Sequence, residues 1–341
     1  MDEEKIFYHA VALGEGGNYT AILHAKKKFQ TWKETYEANR RCHIPDPEKE
    51  YRKLSERRIH LVLQEDSEFP PLLREIPHPP FGIYIKGSLP ENDQMAIAIV
   101  GTRRATPDGK NMAHRFATEL ARAGFLIASG LAFGVDAAAH EGSLDAKGTT
   151  IAVLACGLAN VYPKNNASLA EKIIASNGAI ISEYPPEMPA YPSRFLERNR
   201  IVSGLSKGIL VVEAPERSGS LATARFALEQ NRDVFVIPGP ISHPNFRGSH
   251  ALIRQGATLV TRPEDIFEEY DVAPKDIVSS IIDAASPEEK LVLDILQHAA
   301  PADIDKIIDA TRLEPRIVNQ TVSALFIKGA IKELSEGYML N

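Results

Sequence analysis

Between Ile97 and Val260 the chain alternates short, nearly unbroken apolar runs with stretches whose apolar positions recur every three or four residues. The runs are 97–100, 125–128, 150–154, 179–182, 209–212 and 234–237, with 258–260 as a candidate closing strand. Runs this short and this apolar are strands buried on both faces. The stretches between them, 109–123, 136–146, 167–176 and 220–230, carry the helical period, and Gly124 and Gly148 punctuate their ends. Strand and helix in alternation predict an α/β core: a Rossmann-like parallel sheet with helices over both faces.

The flanks have different patterns. Residues 1–60 read as a separate helical domain of the SAM-like kind, with Ala25, Trp32 and Tyr36 on one face and a glycine turn at Leu13-Gly14-Glu15-Gly16-Gly17. Such a turn either holds a backbone phosphate, as in a helix-hairpin-helix, or only joins packed helices, and packing is the favoured reading. Residues 61–270 form the extended core domain. Its first part brackets prolines (Pro70, Pro71, Pro77, Pro79, Pro80) between strands at 60–63 and 81–85. Prolines cannot sit in a central ladder, so this part predicts an extension at the edge of the sheet. Residues 271–285 are a polar linker. Ser286 then faces Glu289 as a capping box opening a last domain, 286–341, with helices centred on Leu293, Ile307 and Val322, a stop at Gly329 and a hairpin turning at Glu336-Gly337. Three helices and a hairpin predict a winged helix.

Charge sharpens this division. The net charge is −6, yet Ile97 to Asp265 holds 18 Lys and Arg against 15 Asp and Glu, leaving 21 against 30 for the rest. The core's basic residues are 13 Arg and 5 Lys. Arginine's planar fork grips phosphate in a bidentate manner, whereas lysine is the ordinary solvated surface charge. The winged-helix stretch, with 6 basic and 9 acidic residues, has the wrong sign for a module that reads DNA. The acidic N-terminus has no apolar stretch behind it, and no window approaches the ~18 apolar residues of a membrane span. Cys42 and Cys156 stand far apart without metal-spaced partners and read as free thiols of a cytoplasmic protein.

In a parallel sheet, ligands meet the carboxyl ends of the strands. Those ends share a chemistry here: Gly101-Thr102-Arg103-Arg104, Ser129-Gly130-Leu131-Ala132-Phe133-Gly134, Cys156-Gly157, Ser218-Gly219-Ser220 and Pro238-Gly239-Pro240. Glycines admit a ligand close to the backbone, and helix N-termini offer free N–H groups to an anion. A second basic loop, Tyr162-Pro163-Lys164-Asn165-Asn166, opens on the same edge. The connection from Glu183 to Ser206 spaces Arg194, Arg198, Asn199 and Arg200 among Tyr191 and Phe195, the mixture that suits single-stranded nucleic acid. Arg194 taken alone reads as an ion-pair partner of Glu183, Glu187 or Glu197. A dinucleotide site fits poorly: the G-x-G-x-x-G fingerprint is missing after Gly101, and the second strand ends in Ser129 rather than an acid.

No Ser-His-Asp order, metal spacing or Walker loop is present, so no cofactor or metal is expected. Asp136 and His140 lie four apart at a helix start. Asp136 reads as a cap that anchors the adjacent loop and His140 as a packed core histidine. Glu213, at the end of the fifth strand, is a candidate catalytic carboxylate, but the favoured reading has it positioning Arg198 and Arg200.

Val100-Gly101-Thr102-Arg103, Ser129 to Asp136 with His140, Tyr162-Pro163-Lys164-Asn165-Asn166, Ser182-Glu183, Arg198-Asn199-Arg200-Ile201, Ser218-Gly219-Ser220, Pro238-Gly239, Gly248 and Gly256-Ala257 together resemble the DNA-processing protein A (Smf) family. The order and spacing of these motifs cover some 160 residues. The resemblance implies a binding protein rather than an enzyme: a homodimer that coats incoming single-stranded DNA during natural transformation and helps load a RecA-type recombinase onto it. It implies DNA contacts at Arg103 and Lys164, with the Arg198/Arg200 segment nearby. The residues expected at DNA are Gly101, Thr102, Arg103, Ser129, Gly130, Lys164, Asn165, Arg198, Asn199, Arg200, Ser218, Gly219 and Ser220. His250 departs from the family's usual Asn after the Gly248 loop. The homodimer would be built through the core, with the apolar helix around Leu252-Ile253 as its feature in the sequence. The competing class is a nucleotide-cleaving hydrolase of the lysine-decarboxylase-like group, whose doubled glycine before Gly-Thr and glutamate one turn on are not reproduced by 218–223.

Overall fold

A computed structural model describes residues 3–39, 44–90, 94–272, 286–299, 301–327, 330–334 and 337–340. Cys42, Gly329, Glu336 and nearly all of the expected linker lie outside the described residues. The chain divides into two units, Met1–Ile266 and Phe267–Asn341.

The first unit opens with α1 (Glu3–Gly14), α2 (Tyr19–Lys26), α3 (Trp32–Ala38) and α4 (Pro47–Glu56). Strand β1 (His60–Leu63), a one-turn helix α5 (Pro71–Arg74) and β2 (Gly82–Gly87) follow. The alternating core comprises β3 (Ala96–Val100), α6 (Pro107–Arg122), β4 (Leu126–Ser129), α7 (Val135–Asp145), β5 (Thr150–Val153), α8 (Ala167–Ala175) and β6 (Ala179–Ser182). It continues with α9 (Pro192–Gly204), β7 (Gly208–Val211), α10 (Gly219–Glu229), β8 (Asp233–Val236), α11 (Arg247–Arg254), β9 (Thr258–Leu259) and α12 (Glu264–Glu269).

The strands form one sheet in the order β1-β2-β6-β5-β4-β3-β7-β8-β9. From β6 to β9 all neighbours are parallel, whereas β1 and β2 run antiparallel and add to the β6 edge. The proline-bearing segment is thus the edge extension its composition predicts. Chain order reverses direction at β3, so the switch point of the sheet lies between β3 and β7.

Both faces are covered, which is why the strands read as solid apolar runs. On one face Ala96, Ala98, Val100, Ile209 and Val211 pack with Ile201 and Val202 of α9 and Ala224 and Ala227 of α10. On the other, Ala152, Leu154 and Ile180 pack with Leu169 and Ile173 of α8. Tyr8, Val11, Trp32 and Leu54 belong to that second cluster, so residues 1–60 share a core with the sheet instead of forming one of their own. Four short helices bury too little apolar surface alone, and Trp32 makes an edge contact with Phe81 at 5.4 Å. Leu252 and Ile253, expected at a dimer face, pack inward against the first cluster.

His140 is fully buried, as its reading as a core residue expects. Thr150 Oγ1 donates to the Ile127 carbonyl at 2.7 Å, so it accepts from His140 Nδ1–H at 2.7 Å and fixes that tautomer. Burial, aided by the Arg198 charge, pulls the imidazole down to about 3. The native state therefore refuses a proton that the unfolded chain accepts near pH 6.5. Stability from this site is complete above that pH and is lost as pH falls toward 3. Between pH 7.5 and 5 the wild type should lose about 2 kcal/mol more than His140→Asn, read from denaturant midpoints. Parallel pH curves for the two proteins would refute the assignment.

In the second unit, helices Pro287–Ala299, Ile304–Thr311 and Pro315–Ile327 precede the antiparallel pair Ile331–Leu334 and Gly337–Leu340. Their core includes Val292, Leu296, Ile307, Val318, Val322 and Leu325. The Ser286 capping box is formed in both directions: Glu289 N donates to Ser286 Oγ at 3.2 Å and Ser286 N to Glu289 Oε2 at 3.0 Å.

Candidate nucleic-acid interface

A cleft of about 580 Å³ opens at the switch point. Its walls are the loop after β3 (Gly101 to Arg104), the loop after β4 (Gly130, Ala132), one face of α9 (Phe195, Leu196, Arg198, Asn199) and the turn into α10 (Pro215, Arg217 to Ser220). It gathers four arginines, Arg103, Arg104, Arg198 and Arg217, and Asp136 is the one carboxylate among the described lining residues.

That carboxylate is committed to the loop beside it. Asp136 Oδ2 accepts from Gly130 N at 3.1 Å and Ala132 N at 3.4 Å, anchoring the β4–α7 loop; the cap position belongs to Gly134, so the expectation that Asp136 also caps α7 is corrected. Arg198 forms the floor. Its Nη1 donates to the Gly130 carbonyl at 2.7 Å and also to the Val153 carbonyl. A methyl group on Gly130 would lie 2.3 Å from that nitrogen, so only glycine fits against the guanidinium. Burial pushes the Asp136 carboxyl up and pulls Arg198 down, each opposed by the other's charge. Arg198 thus braces two strand ends while showing one edge to the cleft.

Glu213 is fully buried and accepts from Thr106 N at 3.1 Å, Thr106 Oγ1 and Asn245 Nδ2 at 2.8 Å. Its backbone carbonyl accepts from Thr102 N at 2.8 Å. The expectation that it positions Arg198 and Arg200 is therefore corrected: it fixes the Arg103–Arg104 loop, whose donors lie far from it in the chain. Thr106 Oγ1 also caps α6 through Gly109 N at 2.9 Å.

Arg103 is exposed and lies over the Phe195 ring at 4.6 Å, and the Tyr162 ring meets Phe195 edgewise at 5.6 Å. Lys164 and Asn165 are exposed in a short 3-10 turn (Lys164–Asn166) beside a smaller recess lined by Tyr162, Pro163 and Phe133. Asn166 Nδ2 ties this turn to the Leu131 carbonyl at 2.8 Å. Asn199 Nδ2 donates to Gly219 O at 3.2 Å, joining α9 to the start of α10. Ser218 accepts from Ser220 N at 3.3 Å as the cap. A methyl group at Gly219 would meet nothing within 4 Å, so no packing within the chain requires glycine there.

Two expected contacts are lost to the interior. Ser129 is fully buried and its hydroxyl donates to the Ile99 carbonyl at 2.7 Å. Arg200 forms a buried two-pronged pair with Glu183, at 3.2 and 2.6 Å, under the Tyr19 ring. Arg194, read as an ion-pair partner, donates instead to the carbonyls of Pro189 at 2.7 Å and Gly16 at 2.8 Å. Gly16 belongs to the glycine turn after α1, which is thereby tied inward to α9. The helix-hairpin-helix option gives way to the packing one. Phe195, read from the sequence as an aromatic among arginines, lines the cleft, whereas Arg217 at the rim was not singled out and carried a signal only as the basic residue before Ser218-Gly219.

Fold and cleft together define a Rossmann-type protein with an arginine-lined, glycine-edged cleft at its switch point. The chain belongs to the DNA recombination-mediator protein A family, whose pattern matches residues 60–271. It is 40% identical over 290 residues to Protein Smf of Escherichia coli, covering 82% of this chain and 77% of that one. With the DNA processing protein DprA of Bacillus subtilis it shares 42% identity over 215 residues, 63% of this chain and 72% of that one. The crystal structure of Streptococcus pneumoniae DNA processing protein A superposes with a TM-score of 0.62 at 32% identity, covering 78% of this chain and 93% of that one. A Helicobacter pylori DNA processing protein A, studied for its single-stranded DNA binding mode, superposes with a TM-score of 0.56 at 32% identity, covering 62% and 95%. Among the described residues no helix is long and apolar enough to cross a membrane, and no cluster of His, Cys, Asp or Glu suits a metal ion.

Proposed function

We propose that the cleft holds the phosphate backbone of single-stranded DNA and that the protein acts by binding, not turnover. In this reading it is a recombination mediator that protects incoming DNA during natural transformation and helps load a RecA-type recombinase. The observation that carries the proposal is the charge of the cleft: Arg103, Arg104 and Arg217 are exposed on its walls, and its one lining carboxylate among the described residues, Asp136, already accepts two loop amides beside the buried Arg198. Arginine forks and helix N-termini favour a polyanion without reading its sequence. Tyr162, exposed on the cleft lining, adds a ring on which a base stacks. The Helicobacter relative, described for its single-stranded DNA binding, supports the choice of ligand. Glu213 and Asp136, the acids nearest the cleft, are both occupied by loop donors, which supports binding over hydrolysis.

A gel-shift comparison tests this reading. Single strands should be retained at concentrations where duplex of the same length is not, and adding a RecA-type recombinase should move the single-strand band further. Preference for duplex, or turnover of nucleoside monophosphates, would overturn it. The protein is also proposed to act as a homodimer, which would set two clefts on one strand and raise avidity without new contacts; sedimentation at 37.5 kDa at micromolar concentration would refute that part.

Gly219 gives a second check. Alanine fits the space and reduces the freedom of the unfolded chain, so Gly219→Ala should raise stability by about 0.4–1 kcal/mol. If a phosphate rests against the start of α10, the same methyl obstructs it, and affinity should fall by about tenfold, near 1.4 kcal/mol. Higher melting temperature with unchanged affinity would remove Gly219 from the interface.

A further inference from the structure

We infer that the DNA track continues past the cleft rim at Arg217 and over the loop after β8, where Arg247 holds a further stretch of the same strand. The inference rests on the single-strand reading above and extends it to the length and path of the ligand. Arg104, Arg217 and Arg247 are exposed, and none forms an ion pair among the described residues. The neighbouring acids Asp108 and Glu216 are exposed and do not pair with them either.

These arginines stand on turns that are fastened together. Gly248 N donates to Ala214 O at 2.9 Å, and Ser249 Oγ accepts from Ala214 N at 3.2 Å, joining the start of α11 to the loop that carries Arg217. Asn245 Nδ2 donates to Arg104 O at 3.1 Å and Glu213 Oε2 at 2.8 Å, joining the turn before Arg247 to the loop after β3. Three turns are thus hydrogen-bonded to one another and present an arginine each.

The sheet order gives the track its direction. Lys164 follows β5 and Arg247 follows β8, with β4, β3 and β7 between them. Four interstrand spacings, roughly 19 Å in all, separate those strands. A lone nucleotide in the cleft cannot touch both flanks, whereas a polynucleotide lying across the strand ends can. Arginine beyond the cleft wall therefore specifies a strand, and because it grips phosphate the contact is indifferent to sequence.

The test is binding of oligothymidylates of graded length, from about 4 to about 16 nucleotides, the range of known single-strand grooves. Wild type is compared with Arg247→Ala and with Arg247→Lys. On long oligomers Arg247→Ala should lower affinity severalfold and flatten the slope of log K against log salt by about 0.7, one contact's worth. On the shortest oligomer that binds, affinity and slope should match wild type, and Arg247→Lys should keep the full slope at every length. Equal losses on short and long oligomers, or none on either, overturn the second stretch while leaving the cleft reading intact. Failure of wild type to bind any length defeats the single-strand reading and this inference with it. Unchanged melting temperatures show that the variants are folded, as the exposure of Arg247 leads one to expect.

Discussion

Arg103→Ala and Lys164→Ala should each reduce the slope of log K against log salt for single-stranded DNA by about 0.7, and the double variant should lose more than about a hundredfold in affinity. Arg103 projects from the loop after β3 over Phe195, with its guanidinium exposed at the cleft mouth. Lys164 stands exposed on the flank after β5, in a turn held by Asn166. Neither fills the core, so melting temperatures should stay near that of wild type, and the loss should be the same for all base sequences. The opposing account makes Arg103 a brace for its own loop through the Phe195 ring. That account requires Arg103→Ala to melt earlier with its salt slope intact, and this pair of readings on one variant would defeat the contact.

Arg200→Ala should instead destabilise the fold by about 3–5 kcal/mol with no change in salt slope, because it leaves Glu183 buried without its partner. Burial already pushes the Glu183 carboxyl above its usual range even with Arg200 beside it. Replacing both, as Arg200→Met/Glu183→Leu, should recover most of the loss, since a well-packed apolar pair avoids the desolvation penalty. Denaturant unfolding measures both variants. A reduced salt slope at unchanged stability in Arg200→Ala would return this residue to the DNA.

The contrast between Arg103 and Arg200 marks where the sequence ceases to be informative. The strands were legible because each is buried on both faces, and the loops were legible because a parallel sheet delivers every strand's carboxyl end to one edge. Which arginine on that edge is free was not legible. It depends on the phase of α9, whose start at Pro192 has Tyr191 at the cap position and no side-chain cap to announce it. Successive residues of a helix point about 100° apart, so Asn199 faces the cleft while Arg200 turns toward Glu183. The role of Glu213 was hidden for a related reason: its partners Thr106 and Asn245 lie 107 and 32 residues away. Residues 1–60 read as a domain because their helical period is clear, but periodicity does not say what a helical face packs against.

The far edge of the sheet constrains how two copies can meet. Strand β9 has only two residues, Thr258 and Leu259, both exposed. A pair of residues offers too short a row of unsatisfied amides and carbonyls for another chain to add a strand, which protects this edge from runaway association. Any self-association on this side must therefore rely on side chains meeting side chains, and a sheet running unbroken from one molecule into the next is not an option this edge provides.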